Sequence, residues 1–396
     1  MKAKYIGSAM ILIGTAIGAG MLALPMISAT SGFGPSALLI TGMWLLMMLT
    51  GLLVLEVNLA FPLRQNNFNS MALGTLGKGG QMIAWLTCLV LLYALTSAYI
   101  AGMGSLLSEL IQTYFNKTMD PRLNSLLFTL VFGSFVFWST AAVDQLNRWL
   151  MSTKGILLII MLILLLPHVN VAYLMRQAPE QRTLLAAMPI FLTAFGYHTV
   201  IPSLTNYLGK EAKVLHRIII IGTIIPLALY LAWLACALGV LPLGNYALLK
   251  ANGGSVGDFI QALNQCVTNH WVVLAINGFA NIAMTTSFLG VSLGLFDFLA
   301  DAFKRENSRV GRIQTGILTF AIPLLFAIFY PKGFVIALSY AAICVAILEV
   351  ILPAFMAYRL RKTSIAPSYR VIGGTPLLFL IGLIGVFLVV IGFIYS

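Results

Sequence analysis

Apolar blocks long enough to cross a lipid bilayer follow one another along the whole 396-residue chain. A bilayer core about 30 Å thick needs roughly 20 residues of helix at about 1.5 Å per residue. Eleven blocks meet this length: 5–29, 35–60, 82–113, 122–143, 147–168, 184–208, 218–241, 271–296, 313–330, 333–357 and 373–395. We therefore predict an all-α polytopic membrane protein with eleven transmembrane helices.

The composition excludes a soluble enzyme, because 60% of the residues are hydrophobic and only 9% are charged. A soluble domain carries about 25% charged residues. The net charge of +12 does not indicate nucleic-acid binding, since the basic residues are not clustered with aromatic ones on a soluble scaffold. The four cysteines form no CxxC pair, so we expect neither a disulfide framework nor a metal site, and no cofactor.

The distribution of basic residues predicts the orientation in the membrane. If the connections between blocks alternate sides, 17 Lys and Arg lie on the side of the N-terminus and 6 on the other side. Cytoplasmic loops carry the excess of positive charge. The N-terminus is therefore predicted inside and, with an odd number of spans, the C-terminus outside.

Two blocks contain residues that interrupt a helix. The first reads GTAIGAGMLALP over residues 14–25, and the sixth reads AFGYHTVIPS over residues 194–203. Gly14 and Gly18 are also spaced as a helix-packing GxxxG motif, which is the simpler reading of the first block alone. Interrupted helices at the start of two five-span halves instead indicate an inverted-repeat transporter with a site at the bilayer midplane. We expect the halves at 1–168 and 184–357, with an additional span at 373–395.

Few ionisable residues lie inside the blocks. Glu56, Glu109 and Glu349 fall in the outer third of their blocks, where snorkelling or a loop cation explains them. His198 is either a packed neutral histidine, a substrate contact or a proton carrier. Lys154 is either a positive-inside anchor or a functional group. No catalytic constellation occurs at any depth, so we do not expect an enzyme.

Four segments resemble a known family: GTAIGAGMLALP, AFGYHTVIPSL (194–204), NIAMTTSFLGVSLGLFDFLADAF (281–303) and FYPKGF (329–334). Over essentially its whole length the chain resembles the bacterial hydroxy and aromatic amino acid permeases of the amino acid–polyamine–organocation superfamily. The resemblance implies a LeuT-type 5+5 inverted repeat with broken helices 1 and 6. It also implies proton-coupled import of tyrosine, or another aromatic amino acid, across the bacterial inner membrane, with no obligate protein partner.

The resemblance further implies a substrate site at the two breaks. Amides freed at Ala19 and Gly20 would meet the substrate carboxylate at the positive end of a half-helix. Carbonyls of both breaks would meet the ammonium, Gly196 would leave space for a ring, and Tyr93 and Ser97 would close the pocket. The implied substrate contacts are Thr15, Ala16, Ile17, Gly18, Ala19, Gly20, Tyr93, Ser97, Ala194, Phe195, Gly196, Tyr197 and His198.

A helix 5 lysine takes the place of a bound sodium ion in proton-coupled relatives, and Lys154 stands at the matching position. The implied ion-coupling residues are Lys154, Gly14, Ile17, Ala283, Thr286 and Ser287. Asn281 resembles the tryptophan-transporting members, whereas the short N-terminus resembles the tyrosine-transporting ones. A tryptophan or general aromatic permease and a sodium-coupled version therefore stay open. A non-transporting amino acid sensor or a channel is the alternative from another class.

Overall fold

The computed structural model describes residues 2–138, 140–176, 183–251, 254–267, 269–304, 309–363 and 368–395. Within these residues every regular element is a helix. Ten helices are long and apolar enough to cross a membrane, or eleven if the bent pair at the start counts as one span. The prediction of a polytopic all-α membrane protein is thus confirmed.

The α-helices are numbered in chain order. They are α1 (Lys2–Ala16), α2 (Ala23–Ser28), α3 (Phe33–Ala60), α4 (Phe68–Phe115), α5 (Pro121–Trp138), α6 (Thr140–Leu165), α7 (Val171–Leu174), α8 (Thr183–Thr193), α9 (Ile201–Leu208), α10 (Ala212–Val240), α11 (Leu243–Ala251), α12 (Val256–Cys266), α13 (His270–Ala302), α14 (Arg309–Phe329), α15 (Phe334–Val345), α16 (Leu352–Leu360) and α17 (Gly374–Tyr395).

The first apolar block bends at Ile17 and Gly18. Helix α1 stops at Ala16, Gly18 is extended (φ −113°, ψ −174°), and a 3-10 turn at Ala19–Leu22 leads into α2. The two halves of the block meet at an angle of 47°. Pro25 does not cause the bend, because it is the third residue of α2 and its missing N–H lies in the first turn, where no intrahelical partner exists.

The sixth block is also interrupted. Helix α8 stops at Thr193, and the chain resumes with a 3-10 turn at His198–Val200 that continues into α9. The 3-10 turn and α9 run without a gap, and Pro202 sits in the first turn of α9, where a proline is tolerated. Residues 194–197 thus belong to neither helix, and the hydrogen-bond ladder of the span is broken there.

The third span is longer than its apolar block. We predicted residues 82–113, but α4 begins at Phe68 and its first two turns are separated from the rest by a kink. Gly77 makes this kink with a φ of 74°, which a residue without a Cβ adopts freely. The polar stretch before residue 82 is therefore helical rather than a loop, a feature that hydropathy alone does not reveal.

The tenth span contains a segment of π-helix, Ala346–Ile351, between α15 and α16. Pro353 in the first turn of α16 has no amide hydrogen, so the Glu349 carbonyl one turn earlier loses its α-helical donor. The helix widens at this point. Because π-segments are rare and are frequent at functional sites, this one draws attention to Glu349.

The interrupted spans lie inside the bundle. Helix α1 packs on α10, the 3-10 turn at Ala19–Leu22 packs on α13, and α8 packs on α2, α3 and α15. The outer face of the bundle is apolar, as a lipid-facing surface must be. On α17, for example, the exposed side chains include Phe379, Leu383, Val386 and Phe387.

Candidate substrate and ion site

Lys154 on α6 reaches the break in the first span. Its Nζ donates a 2.6 Å hydrogen bond to the carbonyl oxygen of Ile17, and its side chain is buried, with 3% of the residue exposed. Helix α1 has ended at Ala16, so the Ile17 carbonyl needs a partner from outside the helix. A buried ammonium is thus held by main-chain oxygen at the bend.

Ser287 on α13 meets the other side of the same break. Its Oγ accepts a 2.9 Å hydrogen bond from the Ala19 amide, and Tyr99 on α4 also interacts with this hydroxyl. A Cβ at Gly18 would lie 3.3 Å from Ser287 Oγ, so this glycine allows α13 to approach. The Ala19 amide, which we expected to be available to a substrate carboxylate, is therefore occupied by a serine oxygen in this conformation.

One hydroxyl joins the breaks in the first and sixth spans. The hydroxyl of Tyr230 on α10 lies 2.6 Å from the Ala16 carbonyl oxygen and 2.9 Å from the Ala194 carbonyl oxygen. Tyr230 is fully buried, and the ring of Phe195 packs edge-on against it at 5.2 Å between centroids. The carbonyl oxygens of Ala16 and Ala194, both expected at the substrate site, are thus brought together.

Sequence reasoning missed Tyr230, Tyr99 and a further aromatic side chain, Trp233, whose Nε1 donates to the Met21 carbonyl at 2.9 Å. An aromatic residue in an apolar block is typical of a packed core, so the sequence alone carries no signal for these roles. These side chains are identified only by their hydrogen bonds to main-chain and hydroxyl groups near the breaks, and the positions of those groups depend on the fold.

Tyr197 and His198 point to a different set of partners. The Tyr197 hydroxyl donates to the Met47 carbonyl at 3.1 Å, and His198 Nε2 lies 2.8 Å from Thr50 Oγ1, both on α3. Gly51 makes room for Tyr197, because a Cβ there would overlap the tyrosine hydroxyl. Both side chains were expected as ring or hydroxyl contacts of the substrate. The structure instead places them between α3 and the π-segment.

The interpretation of Glu349 as a peripheral, snorkelling carboxylate is wrong. Only 3% of the residue is exposed, and its Oε2 lies 2.8 Å from His198 Nδ1. A Cβ at Gly196 would lie 3.7 Å and 3.8 Å from the two carboxylate oxygens. The space beside Gly196, which we expected to accommodate a substrate ring, therefore contains this carboxylate.

The two residues expected to close the pocket from α4 are oriented toward other neighbours. The Tyr93 hydroxyl donates to the Leu318 carbonyl on α14 at 2.9 Å. Ser97 is buried and donates to the Tyr93 carbonyl within its own helix at 2.8 Å. Their contact with a substrate stays a prediction.

The remaining expected residues lie along the same helices. Thr15 donates to Ile11 and Thr286 donates to Ala283, each within its own helix at 2.8 Å and 3.0 Å. Gly14 provides space for the Met151 side chain of α6. By contrast, the space beside Gly20 is open, since an added Cβ there would meet nothing within 4 Å.

A cavity at the end of the bundle where α13 stops reaches the sixth span at Thr199. Its volume is about 650 Å³, within the range of small-molecule sites, about 300–1,000 Å³. We call it the vestibule. The residues lining it include Asn67, Phe68, Trp85, Cys88, Thr199, Gly294, Asp297, Phe298, Asp301 and Leu348. Thr199 and Leu348 place its inner wall directly beside His198 and Glu349.

A helical membrane bundle with polar groups gathered at interrupted helices, and with a cavity that reaches them, is the architecture of a membrane transporter. The sequence model of the tryptophan/tyrosine permease family matches residues 1–392, and the chain belongs to that family. It is accordingly a permease and not an enzyme.

Characterised relatives include proteins of two different stated specificities. "Tyrosine-specific transport system 2" of Haemophilus influenzae is 40% identical over 394 residues, which cover 100% of this chain and 97% of the relative. "Tryptophan-specific transport protein" of Pseudomonas aeruginosa is 36% identical, covering 97% and 93%. "Low affinity tryptophan permease" of Escherichia coli is 32% identical, covering 95% and 92%. The chain is similar to all three over nearly its full length.

Proposed function

We propose that this permease is a proton-coupled symporter that imports tyrosine across the bacterial inner membrane by alternating access. The substrate class is supported by the relatives, whose names specify tyrosine or tryptophan, and tyrosine by the 40% identity to a tyrosine-specific system. Proton coupling is supported by one observation above all, the buried Lys154 ammonium on the Ile17 carbonyl.

The proposed mechanism uses the break in the first span as the common point of substrate and proton. An ammonium among carbonyls substitutes for a bound metal cation, and lysine can release its proton where sodium could only dissociate. Loss of the Lys154 proton would leave a neutral amine, whose hydrogen bond to the Ile17 carbonyl lacks the charge and is therefore weaker. This change would loosen the bent first span from α6 and favour the opposite conformation.

Substrate would bind where main-chain groups of both breaks converge. The carboxylate of the amino acid would take the amides at Ala19 and Gly20, with the Ser287 oxygen giving way, and the open space beside Gly20 permits this approach. The substrate ammonium would bind carbonyl oxygens such as those of Ala16 and Ala194, which Tyr230 already brings together. A carbonyl oxygen has two lone pairs, so it can accept both donors.

The overall arrangement we propose is a LeuT-type inverted repeat, with halves at 1–168 and 184–357 and an additional span at 373–395. The bend after Ala16 and the interruption after Thr193 support it, because they fall in the first span of each half. With the N-terminus in the cytoplasm, the vestibule would open inward. The structure would then represent a conformation that releases substrate into the cell.

Tryptophan is the second candidate substrate. Two of the three relatives have names that specify tryptophan. The family resemblance seen in the sequence also points to Asn281 as a position typical of tryptophan-transporting members. The side-chain amide of Asn281 donates to the Asn277 carbonyl at 2.9 Å, while its buried Oδ1 has no hydrogen-bond partner among the described residues. An unpaired acceptor is suited to an indole N–H as well as to a phenol hydroxyl, so competition must decide.

The test is uptake of radiolabelled tyrosine into proteoliposomes under an imposed inward proton gradient, with tryptophan and phenylalanine as competitors. We expect accumulation that requires the proton gradient and persists when sodium is replaced by choline. If tryptophan displaces tyrosine at lower concentration than tyrosine itself, the substrate is tryptophan. Dependence on sodium at constant pH would show a sodium-coupled version, and binding without accumulation would indicate a sensor.

Tyr230→Phe tests the link between the two breaks. The substitution removes only the hydroxyl, so we expect a free energy of unfolding lower by about 1–3 kcal/mol. Uptake should also fall, because the Ala16 and Ala194 carbonyl oxygens lose the group that holds them together. Uptake rates in proteoliposomes and thermal unfolding in detergent provide the two measurements.

Tyr246→Phe is the matched control. Tyr246 is buried, and its hydroxyl donates to the Ala237 carbonyl at 3.1 Å, away from both breaks. The two variants should lose similar stability, and only Tyr230→Phe should lose uptake when each is normalised to the protein that remains folded. Equal uptake by the two would show that Tyr230 merely fills the core.

A further inference from the structure

The contact between His198 and Glu349 lies between the two irregular segments of the sixth and tenth spans. His198 begins the 3-10 turn after the interruption, and Glu349 lies within the π-segment. The side chains are 0% and 4% exposed. We refer to them as the His198–Glu349 pair. Neither Lys154 nor the groups around it are part of this contact.

The distance within the pair requires a proton. Nδ1 and Oε2 are 2.8 Å apart, off the line of an ideal hydrogen bond, and neither atom has another partner in the described part of the chain. An ionised carboxylate only accepts hydrogen bonds, and a ring nitrogen without hydrogen also only accepts. Such a short separation between buried atoms is attractive only if a proton is carried by one of them.

The other ring nitrogen of His198 can gain or lose a proton at little structural cost. Thr50 Oγ1 lies 2.8 Å from His198 Nε2 and 3.2 Å from the Met47 carbonyl oxygen. The single hydroxyl hydrogen can point to Met47 when Nε2 carries a proton, and to Nε2 when it does not. Rotation of one hydroxyl therefore accommodates both protonation states while Nδ1–H continues to face Glu349.

The proton of the His198–Glu349 pair affects the balance of charge around the buried carboxylate. Among the described residues, His198 is the basic group that contacts Glu349. Two other titratable groups lie close enough to Glu349 to interact with its charge, the Tyr197 hydroxyl and the Cys88 thiol. Cys344 in turn lies close to Cys88.

The packed neighbours supply no other compensating charge within the described ranges. On α3 the charged residue Glu56 is paired with Arg361, while Lys78 on α4 and Arg359 on α16 are exposed. Helices α15 and α17, which also pack on the π-segment, carry no charged residue. A buried carboxylate without a counter-charge is costly, so a proton on one member of the pair is needed to compensate Glu349.

Residues next to the pair in the chain line the vestibule. Thr199 is exposed although its neighbour His198 is fully buried, and Thr199, Leu348 and Cys88 line the vestibule. His198 and Glu349 do not line the vestibule themselves, but each has a chain neighbour that does. Asp297 and Asp301 line the same cavity and make it favourable to cations.

We propose that the His198–Glu349 pair is a proton-binding site, separate from Lys154, whose proton holds the sixth span against the tenth and exchanges with water through the vestibule. This inference rests on the proposed function in one respect, namely that the protein moves protons with its substrate. Loss of the proton from Nε2 leaves a neutral imidazole, so the attraction between opposite charges is lost and only the Nδ1–H contact with Glu349 remains. The sixth span is then held less firmly where its helix is already interrupted. The pair would thus report the proton concentration on the vestibule side to the substrate site.

The test is the titration of His198 itself, followed by the NMR signals of ¹⁵N-histidine in protein reconstituted into nanodiscs. The chain has four histidines, and His198→Gln identifies the signal of interest. In the wild type we expect the His198 ring signals to change with pH, with a midpoint that the experiment measures. In Glu349→Gln the midpoint should move by about one pH unit or more, a tenfold change in proton affinity. The other three histidines should not move.

Two further variants keep the test decisive. Glu109→Gln is the matched control, because Glu109 is another buried carboxylate, 5% exposed, with neutral partners Thr113 and Asn264. It should leave the His198 midpoint unchanged. If Glu349→Gln does not fold, Thr50→Val removes the rotating hydroxyl without changing the contact at Nδ1, and it should also shift the midpoint.

Transport measurements separate this inference from the proposed function. We expect Glu349→Gln to flatten the dependence of uptake on the pH of the vestibule side, while Glu109→Gln retains it. The inference is overturned if the His198 signal does not change with pH. It is also overturned if Glu349→Gln takes up substrate under a proton gradient and has the same His198 midpoint and the same pH dependence of uptake as the wild type. A titrating His198 in a protein without gradient-driven uptake would reject the proposed function alone.

Discussion

Replacing Lys154 by alanine is expected to abolish concentrative uptake of substrate while leaving exchange across the membrane intact. The ammonium is buried and donates to the Ile17 carbonyl at 2.6 Å, where α1 has ended. A hydrogen bond to a charged group contributes about 1.5–3 kcal/mol, which corresponds to a roughly 10- to 100-fold loss when it supports the transport cycle. Counterflow needs no net proton movement, so it should continue.

Two further lysine variants separate charge from proton release. Lys154→Arg keeps a permanent positive charge and a donor but cannot lose its proton, so it should bind substrate and still fail to concentrate it. Lys210→Ala is the matched control, because Lys210 Nζ also donates to a main-chain carbonyl, that of Leu59, at 3.0 Å. It should concentrate substrate normally.

Accumulation by Lys154→Ala at the wild-type level would mean that the lysine is an anchor near the cytoplasmic surface. The His198–Glu349 pair would then be the remaining candidate for proton coupling. The measurement is accumulation and counterflow of labelled tyrosine in the same proteoliposomes, with each variant normalised to the amount of folded protein.

The number and positions of the spans could be predicted because an apolar segment of bilayer length has few alternatives in a membrane. The bend of the first span was also indicated, by the glycines around Gly18. Its location could not be read from Pro25, which lies harmlessly in the first turn of α2. The polar beginning of α4 was missed because helix formation there depends on a cap at Asn67, and hydropathy does not register a cap.

The groups around the candidate site were only half predictable. Lys154 and Gly18 stand out from sequence because charge and backbone freedom are unusual in an apolar block, whereas Ser287 was implied only by the resemblance to the permease family. Tyr230 does not stand out, since its partners Ala16 and Ala194 are 214 and 36 residues away in the chain. The alignment of such distant groups is a property of the folded bundle.

Depth in the membrane was a poor guide to the glutamates. Counting residues placed Glu349 and Glu56 alike in the outer third of their blocks, and both are buried in the protein. The expectation of a cation from a connection holds for Glu56, which pairs with Arg361, but not for Glu349, which contacts His198. Glu349 lies within the π-segment and faces His198, while Glu56 is covered by Arg361 and the Val371 amide of the connection after α16. Partners from other parts of the chain therefore decide what each carboxylate does.

Removing one member of the Glu56–Arg361 pair is expected to lower the stability of the protein more than Tyr230→Phe does. Oε1 and Oε2 of Glu56 accept hydrogen bonds of 2.7 Å from Nε and Nη2 of Arg361, and Oε2 also accepts from the Val371 amide at 2.8 Å. The same guanidinium donates to the carbonyls of Val371 and Gly374. The side chains are 0% and 6% exposed. Two charges thus fix the connection between α16 and α17 to α3.

Breaking a buried ion pair leaves one charge without compensation, which costs about 3–5 kcal/mol, whereas replacing both members by apolar residues is often close to neutral. Glu56→Gln and Arg361→Met should therefore each unfold at much lower temperature in detergent, and the double variant Glu56→Leu/Arg361→Met should lose less than the sum of the single changes. Arg359→Met, which removes an exposed arginine two residues earlier, is the matched control and should be near neutral. If Glu56→Gln is as stable as Arg359→Met, the connection is held by its main-chain bonds and apolar packing, and the ion pair contributes little.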